Sequence, residues 1–341
     1  MFVRRSARWG TVMLAASLAA SACGGQEEAT ATDPVFALER DVVDGIEPLA
    51  LVDPSAEIPA KDLRLLLQSL LSEHVMLSIE TMRMTIDEDD PTETVAQLTT
   101  NTDELTGAIG LIYGRDGAFA FDQLWTNHIE FFHRYASALR AGDETELESV
   151  RLELGHYEHD FSSYLEAATA GELDVHTVEH VLHSHVTQLL DQADAWASGR
   201  YDRAFAIGLE AHDHGGLIAT ALASGFASQN PELFPGDVVS EANDRCATAQ
   251  LRSSFALFAA ADAMLADASG DVDRTVAAES AAASALTATE GAVETAEVVD
   301  RVLAAFRSEV AASSGAIGAV VPAARDARMA ELAALLVDDC S

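Results

Sequence analysis

The chain has 341 residues, of which 56 are acidic and 20 basic, and its formal net charge is −36. So large a negative charge argues against nucleic acids and anionic membrane surfaces as partners, because both attract clusters of Lys and Arg. The length is enough for one large domain or two ordinary ones. The sequence has no Gly-rich phosphate loop, no nucleophile-elbow serine motif and no H-E-x-x-H motif, so it carries no signature of an enzyme.

Residues 1–22 have the features of an export signal. Three arginines are followed by the apolar stretch 11–20, by small residues up to Ala22 and then by Cys23. This order is typical of a bacterial lipoprotein signal, in which the cysteine becomes the lipidated first residue. We therefore expect an exported protein held at the outer membrane or cell surface by its lipid. The alternative is an ordinary secretory signal that is cleaved after Ala22.

Residues 23–61 are rich in Asp, Glu, Ala and Thr and contain four prolines. This composition predicts an acidic flexible tether with little hydrophobic core, which holds the folded part away from the membrane.

Cys246 and Cys340 are the two cysteines that remain if Cys23 carries lipid. An exported chain folds in an oxidising compartment, so we predict a Cys246–Cys340 disulfide. A metal–thiolate pair is a weaker alternative, because neither cysteine lies near a histidine in sequence.

The remainder of the chain predicts an all-α fold. No proline occurs between Pro91 and Pro231, and apolar residues recur every three to four positions. Short polar loops divide residues 62–234 into three antiparallel hairpins, which form a six-helix bundle. The predicted helices pair as 63–86 with 94–113, 118–139 with 145–168, and 175–199 with 200–226. Residues 235–341 are rich in alanine and predict a further helical region.

Four of the eleven histidines lie on the apolar stripes of these predicted helices: His74, His128, His185 and His214. Residues at equal distances from a hairpin turn lie at the same level of the bundle. This rule pairs His185 with His214 and His128 with Tyr157. It also sets Glu104 level with His74, and Asn101 one turn away. We therefore expect one interior layer that contains all four histidines.

An interior layer of histidines favours a metal site, because neutral imidazole is the commonest ligand for Zn, Cu, Fe and Ni. We predict a bound transition metal (copper, zinc or iron), with Glu73 and Glu210 placed to accept ring N–H groups. Affinity should then fall as the pH drops past the ordinary histidine pKa of ~6.5.

Two alternatives to this site remain open. In the first, the histidines are hydrogen-bonded core residues of a non-enzymatic scaffold or interaction module. In the second, they are ligands of a metal-dependent oxidase or hydrolase. Two Glu-x-x-His sequences, at Glu130–His133 and Glu153–His156, would suit a ferritin-like di-iron site if they faced inward. They do not fit that site, because Phe132 and Tyr157 occupy the inner positions.

The histidine-containing region, about 63–234, resembles a secreted all-helical bacterial domain found in exported proteins that bear the name copper amine oxidase N-terminal domain-containing. The likeness lies in the sequences S-E-H-V at 72–75, N-T-D-E-L-T at 101–106, W-T-N-H-I at 125–129 and E-x-x-x-H at 210–214. The resemblance implies a helical domain but no activity, and the copper in the name belongs to a neighbouring domain. The positions that match are Glu73, His74, Asn101, Asp103, His128, His185 and His214.

Overall fold

The structure is a computed structural model, and it describes residues 57–287, 293–312, 320–321, 324–325 and 327–328. All regular secondary structure in this part of the chain is helical, so the predicted all-α fold is confirmed. The predicted signal, most of the predicted tether, and Cys23 and Cys340 lie outside the described residues. The helices are α1 (Ala60–Ile86), α2 (Thr92–Ala141), α3 (Glu144–Ala168), α4 (Val175–Ala197), α5 (Tyr201–Gln229), α6 (Glu241–Ser269), α7 (Val272–Thr287) and α8 (Val293–Ala312).

Local sequence explains where the helices of the bundle start and stop. Gly142 ends α2 in the left-handed region at φ 67°, which glycine adopts without steric cost. The next residue, Asp143, caps α3 by accepting hydrogen bonds from the backbone N–H groups of Thr145 and Glu146. Asp174 caps α4 in the same way. These short connections keep consecutive helices antiparallel, as the hairpin pattern predicted.

The second and third predicted helices are continuous rather than separated by a loop. Helix α2 runs for 50 residues, and its only non-helical backbone is at Gly114, with φ 72° and ψ −174°. A glycine accepts this conformation readily, so the chain changes direction at one residue and no loop is needed. The bundle therefore keeps six helical stretches, two of which belong to α2.

Two hydrophobic clusters fill the bundle at different levels. The first contains Phe132, Trp196 and Phe205 and extends to residues of α6 and α7. The second contains Trp125 and Phe161, with the beginning of α1 and the end of α5. Along each helix the predicted histidines fall where one cluster gives way to the other, for example between Trp125 and Phe132 on α2. The polar layer thus lies between two apolar layers.

Helices α6 and α7 of the alanine-rich region pack on the bundle as a helical hairpin. Helices α6 and α7 are joined through Gly270, which has φ 79°, and both contribute alanines to the first core cluster. Small alanine side chains let these helices approach α1 and α5 closely. Cys246 lies in α6, but its predicted partner Cys340 is outside the described range. None of the helices in the described residues is long and apolar enough to cross a membrane.

Candidate functional site

His74 on α1 and His128 on α2 face each other inside the bundle. Their Nε2 atoms are 3.2 Å apart, and the two residues are only 2% and 4% exposed. Ser78, one turn further along α1, places its hydroxyl 3.5 Å from the same nitrogen of His74. The pair is therefore a contact between two imidazoles in a dry interior.

A hydrogen bond between two neutral imidazoles sets their tautomers. One Nε2 must donate and the other must accept, and the accepting ring then carries its proton on Nδ1. No well-aligned hydrogen bond reaches either Nδ1 atom, but the Trp125 backbone carbonyl acts on the His128 ring and the Asn101 side chain acts on the His74 ring, and each contact raises the pKa of its ring. The Trp125 carbonyl therefore favours His128 as the ring that is protonated on Nδ1.

His185 and His214 form a second pair beside the first. Their ring centroids are 6.1 Å apart, and the backbone carbonyl of Ala211 interacts with the His185 ring. Nδ1 of His185 and Nε2 of His214 are also buried without a partner. Both residues are half-buried, so this pair lies nearer the protein surface than the His74–His128 pair.

Aromatic rings surround the inner pair. The Trp125 ring centroid is 4.6 Å from the centroids of both His74 and His128. Tyr157 stacks on His128 at 4.7 Å with an interplanar angle of 10°, and Phe132 meets the same ring edge-on at 5.7 Å. These contacts fix the orientation of the His128 ring and keep bulk water away from it.

The three histidines closest to one another have lowered pKa values. Burial lowers the pKa of His128 and of His185 to about 3. Burial, followed by the neighbouring His128 and His185, lowers the pKa of His74 well below its ordinary value. All three rings are therefore neutral at physiological pH, which is the form that binds metals.

A cavity of about 40 Å³ lies against these rings. His74, His128 and His185 contribute to its wall, and the rest of the wall consists of aliphatic and aromatic residues and Gly215. By the usual minimum of ~10–15 Å³ for one water molecule, the cavity has room for a metal ion and a small ligand. His214 touches His185 but does not line the cavity.

The spacing of the inner pair is compatible with metal ligation. Metal–imidazole bonds of about 2.0–2.1 Å at a tetrahedral angle separate two ligand nitrogens by roughly 3.3 Å, close to the 3.2 Å found between His74 and His128. A full ligand set is not preformed: in the described part of the chain, no group of three or more His, Cys, Asp or Glu side chains is arranged to hold a metal ion. The structure thus places two imidazole nitrogens at a suitable spacing, with a third imidazole, His185, on the same cavity wall.

Asn101 links the helix that carries His74 to α2. Its side-chain amide donates to the Leu70 carbonyl at 2.9 Å and to the Glu73 carboxylate at 3.0 Å. The Asn101 side chain also raises the pKa of His74 slightly against the larger effect of burial. Glu73 is exposed and accepts from this amide, so it does not contact Nδ1 of His74, which no well-aligned hydrogen bond reaches.

The other acidic residues predicted near the site lie at its outside. Asp103 and Glu210 are exposed, and Glu104 is half-buried. Because Nε2 of His214 has no partner, Glu210 does not hold that ring nitrogen.

His212 is buried, although it lies off the apolar stripe that carries His214. It is 0% exposed, and its Nε2 lies 3.2 Å from the Ser254 hydroxyl of α6. Helix α5 is covered by the bundle on one side and by α6 on another. The apolar periodicity of the α5 sequence predicts only the side that faces the bundle. Of the other flanking histidines, those at 156, 159, 176, 180 and 183 are exposed and His133 is half-buried.

The Glu-x-x-His sequences face away from the core, as expected. Glu130 and His156 are exposed, and Glu153 is half-buried and pairs with Arg134 at 2.5 Å. Phe132 and Tyr157 are buried in the inner positions. This arrangement does not provide the inward carboxylates of a ferritin-like di-iron site.

The chain matches no protein-family model, and neither the curated proteins nor the solved structures contain a match to it.

Proposed function

We propose that this protein is an exported lipoprotein whose helical bundle binds a transition metal ion between His74 and His128, for storage, sensing or delivery. The observation that supports the proposal is the 3.2 Å separation of the two Nε2 atoms, in two buried rings that burial keeps neutral. A bound cation would accept lone pairs from both Nε2 atoms at once. Each ring would then carry its proton on Nδ1, where the Trp125 carbonyl can accept from the His128 ring.

His185 is the proposed third ligand. His214 is the proposed intermediate binding residue on the path of the ion from the surface to His185. The two half-buried rings lie between the interior pair and exposed histidines of α4 such as His180, which interacts electrostatically with His214. An entry path is one requirement of a metal site, and a graded series of imidazoles from surface to core would meet it.

The proposed location rests on the N-terminal sequence. Lipidation of Cys23 would place the bundle at the cell envelope beyond an acidic tether, and a Cys246–Cys340 disulfide would close the C-terminal region. The resemblance to a secreted helical bacterial domain agrees with this location.

Metal titration of variants tests the proposal. Full-length protein in detergent, stripped with a chelator, is titrated with Zn²⁺, Ni²⁺, Fe²⁺ and copper, and bound metal is measured by competition with a chromophoric chelator. We expect one ion per chain, at least 100-fold weaker binding in His128→Ala, and no change in His176→Ala, whose imidazole is exposed. Circular dichroism verifies that both variants are folded. Equal affinity in the two variants would contradict the proposal.

The second candidate function is a non-enzymatic scaffold or interaction module with structural histidines. It is favoured by the fact that 3.2 Å is also an ordinary N–H···N distance, and that no three-ligand group is preformed in the described residues. In that case none of the metals binds stoichiometrically, yet His128→Ala lowers the thermal stability.

A further inference from the structure

A second and larger cavity lies where α1 ends and α2 begins. Its volume is about 410 Å³, within the ~300–1,000 Å³ that is usual for small-molecule sites. Helices α6 and α7 and residues 321 and 325 complete the part of its wall that the structure describes. This wall shares no described residue with the wall of the histidine cavity, so the two cavities are separate sites.

Arg83 belongs to the wall of this second cavity and is only 3% exposed. Its Nε donates to the Gln192 side-chain oxygen at 3.4 Å, but both terminal nitrogens are buried without a hydrogen-bond partner among the described residues. The guanidinium carbon lies 4.2 Å from the ring centroid of Trp196 and 4.4 Å from that of Phe205. An aromatic ring attracts the cation but supplies no lone pair in the guanidinium plane. These rings therefore hold Arg83 in place and leave its terminal N–H groups without acceptors.

The other two arginines of the described wall already have carboxylate partners. Arg274 donates to both oxygens of Asp262, at 2.5 and 3.0 Å, and Arg325 donates to Glu80 at 2.6 Å. Burial lowers the pKa of Arg83 to about 10, so this side chain is also charged at neutral pH. Within the described wall, Arg83 is thus the arginine without a directly bonded carboxylate, and a ligand with a carboxylate would supply one.

Carboxylates outnumber arginines six to three in the described wall. Three of the acidic residues, Asp89, Asp90 and Glu93, are exposed and lie between the end of α1 and the first turn of α2. This excess of negative charge repels a purely anionic ligand, whereas an ammonium group on the same ligand would offset the repulsion. Arg83 and Asp87 are four residues apart along α1, so their side chains begin about 5–6 Å from each other. One small molecule can therefore reach both kinds of charge.

Apolar side chains also line the cavity. Phe258 and Val321 are buried, and Met84 and Leu265 are half-buried, and all four belong to the wall. They offer a surface on which an aliphatic or aromatic group can be removed from water, worth about 25 cal/mol for each Å² of apolar area buried.

From these observations we infer that the second cavity binds a free α-amino acid with an apolar side chain. The carboxylate of the ligand accepts from the terminal N–H groups of Arg83, and its ammonium group faces the exposed carboxylates of Asp89 and Glu93. A carboxylate suits this site better than a phosphate group, because its two oxygens match the guanidinium fork and its single charge meets less repulsion. The inference is independent of the proposed metal site, so either can fail without the other.

Calorimetry with matched ligands tests the inference on the unaltered protein. Full-length protein in detergent is titrated with L-leucine, with N-acetyl-L-leucine, which lacks the ammonium group, and with L-leucinamide, which lacks the carboxylate. We expect one leucine per chain with a Kd below about 1 mM, and binding of both analogues about 10-fold weaker or less. Absence of leucine binding, or an analogue that binds as tightly as leucine, would overturn the inference.

Three variants locate the two charged contacts. Arg83→Met keeps an unbranched apolar chain between the aromatic rings but removes the donors, so it should weaken leucine binding about 100-fold and leave leucinamide binding unchanged. Glu93→Gln should weaken the binding of leucine and leucinamide about 5-fold, without weakening that of N-acetyl-leucine. Glu148→Gln, at an exposed position of α3 outside the cavity, removes the same charge and should change none of them.

Circular dichroism verifies that each variant is folded. Unchanged leucine affinity in folded Arg83→Met, or an equal effect of Glu93→Gln and Glu148→Gln, would overturn the assigned contacts. The comparison of leucine with its two analogues decides the inference if Arg83→Met does not fold.

Discussion

His74 and His128 approach each other through the same ring atom, with their Nε2 nitrogens 3.2 Å apart in the interior of the bundle. Two neutral rings in this arrangement share one hydrogen, and burial keeps both rings neutral. A metal ion between the two Nε2 atoms would take the place of that hydrogen, with both rings protonated on Nδ1.

The metal-free protein should lose stability as the pH falls below about 6.5. Burial lowers the pKa of His128 and of His212 to about 3, whereas an unfolded histidine titrates near 6.5. Between these values the unfolded chain binds more protons, so acid favours unfolding. At pH 5 each of the two histidines should cost about 2 kcal/mol relative to pH 7.5. Urea denaturation at several pH values measures this effect.

The control for the acid effect is His212→Asn, which keeps a polar group near the Ser254 hydroxyl but cannot titrate. The slope of its free energy of unfolding against pH gives the number of protons taken up on unfolding. Between pH 6.5 and 4 this number should be about one lower in the variant than in the wild type. The same slope in variant and wild type would show that His212 is not buried in neutral form.

Asn101 should stabilise both the fold and the site. It is 1% exposed and bonds the Leu70 carbonyl and Glu73 across the α1–α2 interface. Asn101→Ala should therefore lower the free energy of unfolding by about 1–3 kcal/mol. Loss of the contact that supports His74 should also weaken metal binding about 10-fold. Asn127→Ala, at an exposed position of α2, is the matched control and should change neither quantity.

Replacement of two glycines of α5 by alanine should change the stability of the protein in opposite directions. A Cβ atom at Gly225 would lie 2.7 Å from Leu173 Cγ and 2.9 Å from Cδ2, so Gly225→Ala should overpack this contact and cost about 1–3 kcal/mol. At Gly208 the nearest atom, of Ile79, is 3.6 Å away, an ordinary contact. Gly208→Ala should stabilise the helix by about 0.5–1 kcal/mol. Thermal denaturation distinguishes the two, and a stabilising Gly225→Ala would show that Leu173 moves aside freely.

Helical spacing and short turns are sufficient to predict much of this fold and part of the candidate site. The apolar stripes placed His74, His128 and His185 inward, and the hairpin rule set Tyr157 beside His128, where the structure has it. These inferences depend only on contacts between helices that are adjacent in sequence. The all-α fold follows from the same periodicity.

The features that sequence did not reveal arise from packing between distant elements. His212 is buried because α6 packs against the side of α5 that faces away from the bundle. The sequence of α5 alone does not predict this contact. The expected decline of metal affinity near pH 6.5 used the ordinary pKa, whereas burial lowers the pKa of His128 and His185 to about 3. Proton competition should therefore begin only in more acidic solution.

Replacement of Cys23 tests the proposed lipid anchor. The basic, apolar and small-residue segments before Cys23 predict lipidation at this position. Cys23→Ser should move the protein from the membrane fraction to the soluble fraction, as detected by immunoblotting after cell fractionation. Cys246→Ser, which leaves the signal intact, should remain in the membrane fraction. Continued membrane association of Cys23→Ser would place the anchor elsewhere.

The most direct test of the histidine site is the metal content of the protein as it is produced. Full-length protein purified without added metal or chelator is analysed by inductively coupled plasma mass spectrometry, together with the double variant His74→Ala/His128→Ala and the control His176→Ala. We expect about one transition-metal ion per chain in the wild type and the control, and less than a tenth of that in the double variant. Equal metal content in all three, or none in the wild type even after incubation with excess metal, would contradict a metal site at His74 and His128.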